Sequence, residues 1–190
     1  MDGYRHSVPP LTTCPGHGLI EIITVFAVIA TVAALALPAL GSFLREQRLI
    51  SWTYTLMGDL SLARSESIKR GVPVVMCRTV DGSSCHRHRG FRSDWSRGWI
   101  LFANVDEDSR RDPTEPLLLH RQGPPPGLSL HFNQRWRISF RPDGRAKNGS
   151  FTLCAGRRDP ISRAVVLYMT GRPRVSRRAA GGGPLRCGGA

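Results

Sequence analysis

Seven arginines and one aspartate fall between positions 156 and 178: Arg157, Arg158, Arg163, Arg172, Arg174, Arg177 and Arg178 against Asp159. A guanidinium presents a planar fork of donors that matches phosphate, and a run of them gives salt-dependent, sequence-independent affinity for a polyanion. Within Gly171-Arg172-Pro173-Arg174 the proline stiffens the spacer, holding the two guanidiniums in a fixed relation to a backbone. A second cluster, Arg87, Arg89, Arg92 and Arg97 with Trp95, would add contacts. The competing reading is a solvated basic face. Lysine occurs only at Lys69 and Lys147, and the formal net charge of +13 is therefore an arginine charge. Genomic base composition alone can enrich arginine in this way, so only clustering argues for a ligand.

The other side chains capable of chemistry point away from catalysis. No G-x-S-x-G elbow, P-loop or H-E-x-x-H sequence is present. No catalytic residue and no cofactor is expected, and an enzyme is rejected. Five cysteines occur, Cys14, Cys77, Cys85, Cys154 and Cys187. An even four remain if Cys14 lies in a removed leader, which suggests two disulfides and an oxidising compartment; four cysteines allow three pairings, and spacing does not choose among them. A metal site from Cys77, Cys85, His86 and His88 matches no common zinc spacing, so none is expected. The acidic stretch 104–112 lacks the glycine and terminal glutamate of a calcium loop and carries Arg110 and Arg111, so a solvated loop is expected.

The elements that must position these groups fall in two parts. From 22 to 40 no residue is charged, and the only polar side-chain atoms are the hydroxyls of Thr24 and Thr31. Nineteen helical residues rise about 28 Å at 1.5 Å each, close to the hydrocarbon thickness of a bilayer. The segment reads as membrane-spanning, with Glu21 as a carboxylate at its very edge. Beyond Pro38 the helical signal continues as Leu49, Trp52, Leu56, Leu60 and Ala63 at 3–4 spacing, and Gly71 and Pro73 end it. One helix over 17–70, bent near Pro38, is expected, apolar all round in its first half and amphipathic in its second. The remainder shows short apolar or alternating runs at 72–78, 98–105, 117–120, 128–132, 137–140, 151–154 and 164–169, separated by turn signals such as Pro142-Asp143-Gly144. With no second helical pattern between strands, an antiparallel sheet is expected. The tail 179–190 would be flexible unless Cys187 ties it down.

Gly16-His17-Gly18-Leu19-Ile20-Glu21 resembles the prepilin cleavage motif of type IV pilins and type II secretion pseudopilins, usually G-F-T-L-I-E. The helix exit 62–74, the cysteines Cys77 and Cys85, and the segments 98–102, 138–140 and 151–154 are similar, in that order, to the GspH/FimT pseudopilin family. The resemblance implies an α+β, type IV pilin-like fold: a long N-terminal helix, membrane-spanning in its first half, packed on an antiparallel β-sheet head. It divides the chain into a leader (1–16), a transmembrane helix (17–44), its amphipathic continuation (45–70), a periplasmic head (71–178) and a Gly-rich tail (179–190). A prepilin peptidase would cut between Gly16 and His17. The family's first mature residue is normally an N-methylated Phe or Met, where this chain has histidine. Glu21 would then aid filament assembly by meeting the α-amino group of a neighbouring subunit, because a carboxylate at the hydrocarbon edge needs a cation.

The family's architecture implies a Cys77–Cys85 pair and, with it, a Cys154–Cys187 pair. Gly171-Arg172-Pro173-Arg174 matches the G-R-x-R motif by which FimT-type minor pilins bind DNA, which implies double-stranded DNA at Arg172, Arg174, Arg177 and Arg178. The expected place is the bacterial inner membrane, single-pass with a periplasmic C-terminal domain. The partners are the peptidase, the membrane and other pilins or pseudopilins. The alternative is a purely structural type II secretion pseudopilin at a filament tip, acting in protein export without DNA.

Overall fold

The computed structural model describes residues 18–87, 93–134, 136–156 and 160–187; the side chains of 35–39 and of residue 93 lie outside that description. One helix, α1, spans Leu19–Arg70. The chain divides into two compact units, residues 1–42 and 43–190.

In the first unit every described side chain from 18 to 34 is exposed, including Ile22, Ile23, Phe26 and Ile29. The two hydroxyls turn back onto the helix: Thr24 Oγ1 donates to the Glu21 carbonyl at 2.8 Å, and Thr31 Oγ1 to those of Ala27 and Val28 at 3.1 and 2.8 Å. Their polarity is thus absorbed within the helix backbone. Among the described residues no helix is long and apolar enough to cross a membrane. The far end of the uncharged 22–40 run includes 35–39, whose side chains are outside the description.

The second unit is α+β. The helix ends at Gly71, which adopts φ +67° and whose N–H donates to the Ser67 carbonyl at 3.1 Å. That left-handed residue costs a glycine little, and it turns the chain into the first strand. Among the described residues nine strands follow: β1 Val74–Arg78, β2 Ser93–Asp94, β3 Gly98–Ala103, β4 Leu117–Gln122, β5 Leu128–Phe132, β6 Arg137–Phe140, β7 Gly149–Ala155, β8 Ile161–Leu167 and β9 Pro173–Ser176. They form two antiparallel sheets rather than one, in orders β4-β3-β1-β6 and β2-β5-β7-β8-β9.

One core joins both sheets to the amphipathic part of α1. Leu49, Leu56, Leu60 and Ala63 of the helix meet Met76, Trp99 and Leu101 from the first sheet and Phe132, Phe151, Leu153, Val165 and Leu167 from the second. Strand side chains alternate between faces, so Val75, Cys77, Ile100 and Phe102 point the other way. There they form a smaller cluster with Trp136, against which Cys85 packs. Both faces of β1 and β3 are therefore covered, which is why they read as continuous apolar runs and not as alternation.

Two disulfides fasten the periphery. Cys77 is bonded to Cys85, and Cys154 to Cys187, with Cα separations of 5.6 and 5.8 Å. Within the first loop the Asp81 carboxylate accepts from the Ser84 hydroxyl at 2.6 Å, from the Ser84 and Ser83 N–H groups at 2.8 and 2.9 Å, and from the Thr79 hydroxyl at 3.0 Å. The Ser84 hydroxyl, followed by those backbone donors, holds the Asp81 carboxyl well below the usual carboxylate range. The second disulfide carries the tail from β9 back across β8 to β7, so the tail is tied down rather than loose.

Candidate nucleic-acid interface

Strands β8 and β9 form a hairpin at the edge of the five-stranded sheet, with Val166 opposite Arg174 and Val165 opposite Val175. The turn between them closes with the Gly171 N–H on the Tyr168 carbonyl at 2.8 Å. Gly171 has φ +71° and lies against the Gly144 carbonyl, and Arg64 of α1 donates from Nε to the Gly144 and Thr170 carbonyls at 3.2 Å each. The glycine of the G-R-x-R sequence is thus a packing residue, where helix and two turns meet.

Arg172, Arg174, Arg177 and Arg178 are all exposed, and among the described residues none forms an ion pair with a carboxylate. Four arginines in seven residues with no acid between them concentrate positive charge along one sheet edge. Alternation along β9 puts Arg174 on the face of its partner Val166, opposite to that of Val175 and its core partner Val165. Arg177 is two residues from Val175, whose partner Val165 lies in the core, and it lines a groove on the helix side. The disulfide also brings the exposed Arg186, next to Cys187, to the sheet face of Cys154. Sequence reasoning passed over that residue because only the disulfide takes it there.

The rest of the basic patch divides. Arg163 is withdrawn: Nη2 donates to Glu46 Oε1 at 2.9 Å and Nη1 to the Ser162 carbonyl at 3.0 Å. Arg157, Arg158 and Asp159 lie outside the described residues, as do Arg89 and Arg92 of the second cluster. Arg97 is exposed, and the Arg87 guanidinium sits 5.4 Å from the centre of the Trp136 ring, with Arg137 at 5.1 Å. Trp95 offers no surface aromatic. It is fully buried, edge-on to Phe132 and Phe151 at 5.7 and 5.1 Å, because its indole fills the space beneath the second sheet.

The remaining candidates distribute as follows. Gly16, His17 and Cys14 lie outside the described residues. Glu21 is exposed in the first turn of α1, where the helix dipole favours an anion, and its N–H donates to the Gly18 carbonyl at 3.0 Å. Cys77 and Cys85 are consumed by their disulfide, and His88 is outside the described residues. In the acidic loop Asp106 accepts from the Asp108 N–H, Asn104 from the Ser109 N–H, and the buried Glu115 from the N–H groups of Val105 and Asp112. These oxygens shape the loop. Among the described residues no three His, Cys, Asp or Glu side chains converge on a metal position.

One constellation escaped the sequence altogether. Asp59, 4% exposed, accepts from Trp99 Nε1 at 3.0 Å and from Arg121 Nε and Nη2 at 3.0 and 2.8 Å. Trp99 and Arg121 are direct partners across β3 and β4, so one carboxylate clamps the helix to two strands. Its hydrogen bonds raise the Arg121 pKa above the ordinary guanidinium value.

The comparisons agree with this architecture. The structure of the type IV minor pilin FimU from Pseudomonas aeruginosa is similar over 70% of this chain and 92% of that one, at 18% identity and TM-score 0.54. The minor pseudopilin EpsH from the type 2 secretion system of Vibrio cholerae is similar over 68% of this chain and 96% of that one, at 13% identity and TM-score 0.50. At such identities the likeness establishes the fold. No curated protein matches the chain. The family model described as type II transport protein GspH matches residues 53–171, from the amphipathic helix through β8 to the glycine beneath Arg172. That match spans well over half of the 190 residues, and the chain belongs to the GspH family of type II transport proteins.

Proposed function

We propose that this chain is a membrane-anchored minor pilin or pseudopilin that binds double-stranded DNA along its β9 edge. The observation that carries the proposal is the run of exposed arginines, Arg172, Arg174, Arg177 and Arg178, on one sheet edge with no carboxylate partner among the described residues. Contacts of guanidinium to phosphate neutralise backbone charge and release counterions, so affinity falls steeply with salt and is indifferent to base sequence.

Titrating a mixed-sequence duplex against the full chain in detergent, at several salt concentrations, tests this reading. Four phosphate contacts give a slope of log affinity against log salt of about −3.6, and an Arg172→Ala/Arg174→Ala variant flattens it by about 2. Binding that is unchanged in the variant rules out these arginines. A parent that binds no duplex leaves the alternative, a structural pseudopilin in protein export.

In the same reading, residues 1–16 are a leader, 17–44 cross the inner membrane, 45–70 continue the helix, 71–178 form a periplasmic head and 179–190 its tail. The exposed side chains of 22–34, apolar apart from the two internally bonded threonines, support an apolar surrounding, of lipid or of neighbouring subunits' helices. Cleavage between Gly16 and His17 would free an α-amino group, and Glu21 would pair with that group on a neighbour. Gly16→Ala should leave the chain unshortened in cells that carry the peptidase; a normally shortened product excludes this cut site.

A further inference from the structure

Between α1 and the hairpin lies a groove of about 380 Å³, lined by Ile50, Thr53 and Tyr54 of the helix and by Arg163, Val175 and Arg177 with Ser176 of the sheet edge. Ligand pockets run from roughly 300 to 1,000 Å³, so this one admits a single small group and not a duplex. Its floor is apolar, from Ile50 and Val175. On its walls stand one exposed aromatic ring, Tyr54, and one guanidinium, Arg177, that has no carboxylate partner among the described residues. Arg163 is fixed by Glu46 at 2.9 Å and presents a neutralised wall.

An exposed ring beside a cation, over an apolar floor, is the combination that holds an unpaired base and its phosphate: the ring stacks on the base's π-face and the cation meets the backbone. The groove lies on the helix side of the same edge strand that carries Arg174 on its other face. Val175 and Arg177 belong to the stretch that carries Arg172 and Arg174, so a strand passing over that edge from one face to the other reaches the groove within a few residues.

We infer that the groove seats one unpaired nucleotide of a DNA single strand, its base on Tyr54 and its phosphate at Arg177. This rests on the DNA-binding reading of the same edge and adds to it a preference for strand ends or single-stranded stretches. Arg172 and Arg174 hold the backbone; Tyr54 distinguishes paired from unpaired DNA, because a base inside a duplex cannot leave its stack to reach the ring without the cost of unpairing.

The test compares fluorescently labelled oligothymidylate with a blunt mixed-sequence duplex, both titrated against the full chain in detergent. Tyr54 is more than half exposed, so Tyr54→Ala leaves the core intact. The expected result is about a tenfold loss of oligothymidylate affinity in Tyr54→Ala, retention in Tyr54→Phe, and unchanged duplex affinity in both. Arg177→Ala should weaken oligothymidylate as well. Duplex binding with no oligothymidylate binding, or oligothymidylate binding that Tyr54→Ala leaves unaltered, overturns the groove assignment while the duplex reading stands. Equal losses on both probes overturn it too, since the ring would then serve the edge as a whole. Binding of neither probe overturns both readings.

Discussion

Replacing Asp59 with alanine should lower the free energy of unfolding by about 3 kcal/mol, the lower end of what removing one partner of a buried ion pair costs. The carboxylate is 4% exposed and accepts three hydrogen bonds, at 2.8 to 3.0 Å, from two groups that face each other across β3 and β4. Alanine leaves the Trp99 N–H, on a fully buried residue, without its protein acceptor, and an unsatisfied buried donor costs about 1–3 kcal/mol. Arg121 suffers less, because its side chain is 37% exposed and its guanidinium can turn toward solvent. Asp59→Asn keeps one acceptor oxygen and should cost about half as much. Urea denaturation of the full chain in detergent reads all three. A loss below about 0.5 kcal/mol in Asp59→Ala, the range of ordinary surface substitutions, would show that the clamp adds nothing. An Asp59→Leu/Arg121→Met double variant should recover part of the loss, since removing both charges leaves nothing buried and unpaired.

Asp59 also marks where the sequence stops being legible. The apolar line Leu49, Trp52, Leu56, Leu60 and Ala63 announces the buried helix face, and all but the half-buried Trp52 are fully covered. An aspartate beside that line reads as solvated, because its partners lie 40 and 62 residues away and periodicity carries no information about them. The seven apolar runs each overlap a strand, with 164–169 offset from β8 by a few residues, but their division into two sheets does not follow from any run. It depends on β1 pairing with β6, Val75 opposite Ser139, across a long stretch of chain. Strand β9 was invisible for a different reason. Pro173-Arg174-Val175-Ser176 holds one branched apolar residue and a proline, which suits an edge strand with one free side and resembles a loop in sequence. In sequence Arg174 reads as charge alone, while its backbone belongs to the β9 ladder opposite Val166. Proline and arginine on that edge also discourage pairing with another strand, so the chemistry that favours phosphate also blunts the edge.

The G-R-x-R sequence should separate cleanly into a residue that folds and residues that bind. Gly171→Ala is expected to destabilise the head by about 2–4 kcal/mol, from two sources that add. A left-handed backbone, here φ +71°, costs an L-residue with a Cβ about 1–2 kcal/mol. The new Cβ would also lie 1.9 Å from the Gly144 carbonyl oxygen, a backbone atom, so the 168–172 turn or the 141–145 turn must move. Either movement disturbs Arg64, whose Nε donates at 3.2 Å to the Gly144 and Thr170 carbonyls at once. Gly171→Val adds branching at the same point and should do worse. Arg172→Ala/Arg174→Ala removes two exposed side chains and should stay within about 0.5 kcal/mol of the parent. Thermal and urea unfolding of the three variants, beside duplex titration, therefore gives opposite patterns: Gly171→Ala loses stability before it loses DNA, and the arginine pair loses DNA alone. A Gly171→Ala chain as stable as the parent would mean that the turn relaxes freely, and the glycine would then have to be explained by its closeness to a bound phosphate backbone.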